Sequence, residues 1–145
     1  MEDMTSNFFK ELYTNDPSIE PEPILDLVQR RVTSEMNELL CKEFSDDEIS
    51  NALFHMGPLK APGPDGFPAR FFQKNWDVLK RDIIAAVKLF FEQRRMPQGV
   101  NDTAIVLIPK KKEPKDLKDY RPISLCNVIY KVIAKCLVNR MRPLL

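Results

Sequence analysis

The feature that most constrains this sequence is the run KAPGPDG at residues 60–66, which places two prolines and two glycines within seven positions. Proline lacks a backbone N–H and glycine readily adopts positive φ, so neither a helix nor a strand is expected to continue through it. The run predicts consecutive turns, with Gly63 and Gly66 supplying backbone freedom and Asp65 an Asx-type hydrogen bond. It would fix a corner between a helix ending near Met56 and the aromatic-rich residues 67–76.

The same run differs from known ligand-binding loops. A P-loop requires G-x-x-x-x-G-K-[ST], whereas Gly66 is followed by Phe67. A dinucleotide-binding fingerprint follows a strand, and this run follows a predicted helix. The letters GPDG match the GXXG clamp of KH domains, but Pro64 would remove a donor and Asp65 would repel phosphate. The pattern therefore favours a structural turn.

Residues 44–58, FSDDEISNALFHMGP, give the clearest helix. Ser45 and Glu48 have the spacing of a capping box, and apolar residues follow at helical intervals. The letters FSDD also match the aromatic-x-Asp-Asp turn that binds metal in many polymerases. Acidic residues in a first helical turn are favoured by the helix dipole, so a capped helix is the preferred interpretation.

The remaining pattern predicts an α+β fold, mainly helical, with a two-stranded antiparallel hairpin. Five or six helices are expected, including segments 6–14, 22–40, 77–95 and 128–145. Thr33 and Ser34 are possible interruptions of the second, Arg94 and Arg95 would occupy the last turn of the third, and Asn127 can cap the last. Residues 103–109 and 120–126 are β-branched or aromatic segments with turn signals nearby, typical of strands. The last helix is predicted to expose apolar surface, and the fold to be marginally stable.

Charge and cysteine content narrow the class of protein. Residues 1–57 contain 4 basic and 13 acidic side chains, whereas residues 110–145 contain 10 basic and 3 acidic ones. This gradient makes a phosphate-bearing partner plausible for the basic end. The three cysteines form no C-x-x-C pair and there is one histidine, His55, so a zinc site is not predicted. Cys136 lies on an apolar helical stripe and is expected in the core.

The candidate binding residues are all basic. Lys110 ends the first strand and Arg121 enters the second, so a hairpin would bring both near one place, where they could bind a triphosphate or a nucleic-acid backbone. A solvated hairpin tip is the equally plausible alternative. The candidate nucleic-acid-binding residues are Lys111, Lys112, Lys131 and Lys135.

The stretches KAPGPDGFPARFFQKNW and AIVLIPKKKEPKDLKDYRPISLCNVIYKVIAKCLVNRM resemble the reverse transcriptase of LINE-type, non-LTR retrotransposons, especially those of plants. In that family KAPGPDG belongs to the N-terminal extension, and VLIPK and RPISL are the first two polymerase motifs. The resemblance covers residues 44–145 as the N-terminal extension and fingers of a right-hand polymerase, with residues 1–43 as an acidic helical leader. It implies RNA-directed DNA synthesis with Mg²⁺, an RNA template or RNA/DNA hybrid, and a dNTP. It also implies that Arg121 contacts the triphosphate and that Lys110 lies beside the same nucleotide or the template.

The resemblance also marks what this sequence does not contain. The family's catalytic Asp motifs, palm and thumb lie downstream of the matched region, so no catalytic residue, metal ligand or cofactor is assigned here, and the chain alone is expected to be inactive. A domesticated RNA- or DNA-binding module and a non-functional product of a decayed element are the alternatives. With no secretory signal and no long apolar stretch, an intracellular protein of nucleus or cytoplasm, without a membrane partner, is expected.

Overall fold

The computed structural model describes residues 2–14, 27, 29 and 31–144. These residues form six α-helices and two strands. The elements are α1 (Glu2–Tyr13), α2 (Ser34–Cys41), α3 (Asp46–Phe54), α4 (Ala69–Lys74), α5 (Trp76–Gln93), β1 (Thr103–Pro109), β2 (Tyr120–Cys126) and α6 (Val128–Met141). Short 3₁₀ turns occupy Leu117–Asp119 and Arg142–Leu144. The predicted α+β class with one two-stranded sheet is confirmed.

The chain divides into two compact units. The first comprises Met1–Val32 with Leu107–Arg121, and therefore contains α1 and the hairpin tip. The second comprises Thr33–Val106 with Pro122–Leu145, and contains helices α2 to α6. The predicted division at residues 43 and 44 concerns resemblance to a polymerase and stays a prediction.

The core of the second unit lies between α3, α5 and α6. Helix α6 contributes four buried residues because its apolar positions recur at helical spacing, and α3 contributes three. The largest side chains with almost no solvent exposure are Ile49, Leu53, Val87, Val128, Val132 and Cys136. Cys136 lies in the core, as predicted, and burial raises the pKa of its thiol to about 11.

Helix α3 begins with the predicted capping box. The backbone N–H of Ser45 donates to Glu48 Oε2 at 2.9 Å, and the backbone N–H of Glu48 donates to Ser45 Oγ at 3.2 Å. Asp46 and Asp47 lie in the first turn, where the helix dipole favours carboxylates. Asp46 additionally forms an ion pair with Lys88 at 2.5 Å.

Several helix boundaries differ from the prediction: α1 begins at Glu2 rather than at residue 6, α6 ends at Met141 rather than at residue 145, and two further differences have a local cause. In the segment 22–40 the described helix begins at Ser34. Thr33 is extended and its hydroxyl accepts the N–H of Met36 at 3.2 Å, so Thr33 caps the helix. Residues 22–26, 28 and 30 lie outside the described residues. Helix α5 ends at Gln93 rather than including Arg94 and Arg95. Arg94 adopts φ 52° and closes the helix with its N–H on the carbonyl of Phe90 at 2.8 Å.

Arg140 fastens the C-terminal part of α6 to the start of α3. Its guanidinium forms a two-point ion pair with Glu48, at 2.7 Å from Nε and 2.9 Å from Nη2. It also donates to the carbonyls of Leu40, Lys42 and Glu43 and lies 3.5 Å from the centre of the Phe44 ring. These bonds satisfy one carbonyl in the last turn of α2 and two carbonyls in the loop that leads to α3, where no helical N–H follows to pair with them.

The two strands pair in one register that two contacts define. The N–H of Lys110 donates to the Asp119 carbonyl at 2.7 Å, and the Thr103 hydroxyl reaches Cys126 Sγ at 3.5 Å. With Lys110 opposite Asp119, residues Pro109 and Pro122 fall at positions whose backbone nitrogen points away from the partner strand. Both prolines therefore fit the hairpin without removing a ladder bond.

Apolar surface is exposed on α6, as predicted. Leu137, Val138 and Met141 are 43%, 51% and 46% exposed. Among the described residues, no helix combines the length and the apolar character that crossing a bilayer requires.

Candidate nucleic-acid interface

A basic groove of about 440 Å³ opens in the second unit, between the end of α3 and the outer face of α6. Its lining combines three lysines, one histidine and one tyrosine with small and apolar side chains. The lining residues are His55, Met56, Gly57, Lys60, Ala69, Val128, Tyr130, Lys131, Ala134, Lys135 and Val138. No carboxylate is among them, which makes this groove electrostatically suited to an anion.

One wall of the groove is a face of α6. Lys131, Ala134, Lys135 and Val138 follow the spacing i, i+3, i+4, i+7, so they lie on one side of the helix. The buried residues Val132, Ile133 and Cys136 lie on other positions of the same helix. The helix therefore uses its apolar face for the core and leaves its lysines available to the groove.

The opposite wall depends on how α3 ends. The side-chain amide of Gln73 donates to the carbonyls of Leu53 and Met56, at 3.0 and 3.1 Å. The Leu53 carbonyl also accepts the backbone N–H of Met56 at 3.1 Å, so Gln73 adds a second donor at this helix end. The N–H of Lys60 then donates to the Gly57 carbonyl at 3.2 Å and closes a turn. A Cβ on Gly57 would lie 3.2 Å from Lys60 Cγ, so the lysine stem packs against this glycine.

The KAPGPDG loop consists of consecutive turns. The N–H of Gly66 donates to the Gly63 carbonyl at 3.0 Å, and Gly66 has φ 75°. Asp65 Oδ1 accepts the N–H of Phe67 at 3.0 Å, which is an Asx-type bond. The carboxylate thus serves the loop's own backbone.

Asn127 joins this loop to the start of α6. Its side chain is nearly buried, accepting the N–H of Asp65 at 3.2 Å and donating to the Gly99 carbonyl at 2.9 Å. Asn127 occupies the N-cap position that the sequence predicted, but its side chain makes no capping bond to the helix. The amide oxygen accepts from Asp65 and the amide nitrogen donates to Gly99 instead, and both residues are distant in sequence.

Gly63 is required by close approach rather than by its backbone angles. A Cβ at this position would lie 2.3 Å from both the backbone nitrogen and Oδ1 of Asn127. The loop is held a second time by Lys131, whose ammonium donates to the Ala61 carbonyl at 2.9 Å. The loop therefore docks on the first turns of α6, beside the basic groove.

Two of the three predicted lysines of the hairpin tip have partners within the tip. Lys110 Nζ donates to the Lys118 carbonyl at 2.7 Å, and Lys111 forms an ion pair with Asp119 at 2.8 Å. Lys112 is exposed. The register places Arg121 on the same face of the hairpin as Lys110, and the described chain offers its exposed guanidinium no ion pair or hydrogen bond.

Asp119 organises this tip. Besides the Lys111 ion pair, its Oδ2 accepts the backbone N–H groups of Lys115 and Asp116, at 2.9 and 3.1 Å. These donors, the Lys111 ammonium first, hold the pKa of the Asp119 carboxyl well below its usual range. The tip therefore keeps a carboxylate among its lysines at all ordinary pH values.

The structure brings Lys131 and Lys135 together with Lys60, His55 and Tyr130, which the sequence analysis did not assign to a binding site. Helical spacing could have placed Tyr130 beside Ala134, but only the fold brings Lys60 to α6. Across the described residues, no group of three or more His, Cys, Asp or Glu side chains is arranged to hold a metal ion. The chemistry available in the groove is anion binding.

Comparison with known proteins agrees with a mobile-element origin. Over 145 residues the chain is 32% identical to the transposon TX1 uncharacterized 149 kDa protein of Xenopus laevis. The match covers 99% of this chain and 11% of that protein, so the chain spans about a tenth of its relative's length. No protein-family profile matches the chain. This chain is therefore similar, along nearly its whole length, to a segment of a transposon protein.

Proposed function

We propose that this chain is a nucleic-acid-binding segment of a retrotransposon protein, and specifically of a LINE-type reverse transcriptase. The observation that carries the binding proposal is the basic groove, where Lys60, Lys131 and Lys135 meet without a carboxylate. Phosphates are the anions that such lysine clusters hold in nucleic-acid-binding proteins.

The assignment to a reverse transcriptase rests on the order of three sequence blocks and on the similarity to a transposon protein. The block KAPGPDG docks on α6 through Asn127 and Lys131, and the blocks VLIPK and RPISL fall on β1 and β2. An RNA template or an RNA/DNA hybrid is the proposed partner. Lys110 and Arg121, on one face of the hairpin, are proposed to approach the dNTP.

Magnesium does not fit the residues present. Asp46 and Asp47 belong to a capped helix turn, and Asp46 is paired with Lys88. No cluster of ligands exists among the described residues, so no catalytic step is derived through the ion. We propose that this chain binds nucleic acid and does not by itself incorporate nucleotides.

A salt series tests the binding. Fluorescence anisotropy with labelled single-stranded RNA should give an affinity that falls with salt, with a slope of about −0.7 for each phosphate contact. A groove variant, Lys60→Gln with Lys131→Gln and Lys135→Gln, should lose roughly 50-fold in affinity near physiological salt and flatten the slope by about 2. A slope near zero for the unmodified chain would refute the proposal.

A matched control keeps net charge equal. The variant Lys10→Gln with Lys74→Gln and Lys80→Gln removes three exposed lysines that do not line the groove. It should change affinity less than about 3-fold if location rather than total charge decides binding. Template-directed dNTP incorporation by the chain alone, abolished by a chelator, would contradict the proposed absence of catalysis.

A further inference from the structure

Tyr130 is the larger of the two aromatic side chains that line the basic groove, the other being His55. Its ring is half-buried in a wall made with Met56, Ala134 and Val138, and the groove also contains Lys60 and Lys135. A site that binds only phosphates needs no aromatic ring and no apolar floor. The mixture of ring, apolar floor and cations therefore calls for a ligand with a flat apolar part beside its charge.

A nucleotide in a single strand is such a ligand. An unpaired base offers a π-face that stacks on aromatic side chains, while its backbone carries phosphates on both sides. A base in a duplex is already stacked and paired, so it cannot enter a groove without costly extrusion. The groove volume of about 440 Å³ lies within the range of small-molecule sites.

We propose that the basic groove takes one unstacked nucleotide of a single-stranded nucleic acid, with its base against Tyr130 and its flanking phosphates on Lys60, Lys131 and Lys135. This rests on the proposed nucleic-acid binding and names its ligand class. Lys131 can serve both the loop and a phosphate, because its ammonium has three donors and the Ala61 carbonyl uses one.

The first test needs no variant. Anisotropy is measured with labelled oligouridine of about 12 nucleotides, with an abasic ribose-phosphate strand of equal length, and with a duplex of equal length. The single strand should bind on the order of 10-fold tighter than the abasic strand and tighter than the duplex. A further measurement with oligothymidine distinguishes RNA from DNA. Equal affinities for oligothymidine and oligouridine mean that the groove contacts the base and the phosphates, and tighter binding of oligouridine means that it also contacts the 2′-hydroxyl.

The second test changes the ring. Tyr130→Leu keeps an apolar side chain but removes the aromatic face, and should lose roughly 10-fold in affinity for oligouridine and little for the abasic strand. Tyr130→Phe keeps the face and should bind as the unmodified chain does. Tyr13→Leu, at an exposed tyrosine on α1, is the matched control and should have no effect.

The outcomes separate the two proposals. If the abasic strand and the duplex bind as tightly as oligouridine, the stacking site is refuted while nucleic-acid binding stands. If no probe binds with a salt-dependent affinity, nucleic-acid binding itself is refuted. Circular dichroism and urea unfolding of each variant establish that a loss of affinity is not a loss of fold. If Tyr130→Leu does not fold, the affinities of the unmodified chain for oligouridine, the abasic strand and the duplex still test the stacking site.

Discussion

The basic groove and the hairpin tip both cluster lysines, but the lysines have different partners. At the tip, Lys111 is paired with Asp119, and Lys110 donates to a carbonyl of the same loop. In the groove, Lys60 and Lys135 face a lining without carboxylates. The number of basic residues in a segment therefore does not identify a basic site, because neighbouring acids decide how much positive potential remains.

The two regions also differ in how they are built. The tip is organised by contacts among residues 110–119, which follow one another in the chain. The groove is assembled from residues near 55–60 and 128–138, which meet only because α3 packs on α6. The groove therefore depends on tertiary packing, whereas the tip depends on local bonds.

The largest effect is expected at the clamp that joins α6 to α3. Arg140→Ala should lower the free energy of unfolding by about 3 kcal/mol, because Glu48 loses its partner and three carbonyls lose a donor. Urea unfolding measures the loss. The corresponding change at the tip, Asp119→Ala, should destabilise less, since its contacts are local and solvated; an equal loss would contradict the comparison.

The next largest effect is expected where the KAPGPDG loop docks on α6. Gly63→Ala should cost about 2 kcal/mol, since its Cβ would overlap the backbone of Asn127. Gly66→Ala is the matched control, because no atom lies within 4 Å of its added Cβ and only the positive φ is unfavourable. It should cost about 1 kcal/mol, measured by urea unfolding. Equal costs would mean that the close approach at Gly63 is absent in solution.

The pH dependence of stability should report the Glu48–Arg140 pair. The hydrogen bond from Arg140 lowers the pKa of Glu48 from 4.5 to about 2. A lowered carboxyl pKa gives stability that is fully present above pH 4.5 and is lost as pH falls through about 2. With the Glu48 side chain 39% exposed, screening reduces this to about 1 kcal/mol. Urea unfolding between pH 7 and 2 should show this component in the unmodified chain and not in Glu48→Gln.

The smallest effect is expected at the hairpin tip, where the Asp119 carboxylate pairs with Lys111 and so weakens phosphate binding. Asp119→Asn keeps an acceptor for the backbone N–H groups but releases the Lys111 ammonium. One additional phosphate contact should raise RNA affinity about 3-fold near physiological salt. Replacing Lys110, Lys111 and Lys112 by Gln in the unmodified chain should lower affinity less than the groove variant does. A larger loss from the tip would move the interface to the hairpin.

Much of the local structure followed from sequence patterns. The capping box of α3 and both strand boundaries were predicted because each depends on neighbouring residues. The predicted C-terminal end of α5 lies two residues too far along the chain, because Arg94 and Arg95 look like favourable last-turn cations. The left-handed conformation of Arg94 is rare for a non-glycine residue, and residue type alone does not predict it.

The candidate site was predictable only in part. Lys131 and Lys135 were named because they lie off the apolar stripe of their own helix. Lys60 carried no such signal, because its groove partners on α6 are distant in sequence. Helical spacing places Tyr130 beside Ala134, but it does not indicate that the ring faces lysines from another segment. Asn127 was predicted to cap its own helix, but the nearby Asp65 N–H and Gly99 carbonyl bond both ends of its amide.

Local sequence is enough to predict which segments form helices and strands, because periodicity, caps and prolines act over a few residues. The sequence by itself also determined that basic residues concentrate toward the C-terminal end. Tertiary structure decided which lysines form a site, because contact between α3 and α6 brings Lys60 to Lys131 and Lys135 and leaves carboxylates out of the lining. It also decided why Gly63 must be glycine, since the Asn127 backbone occupies the space that a side chain would need.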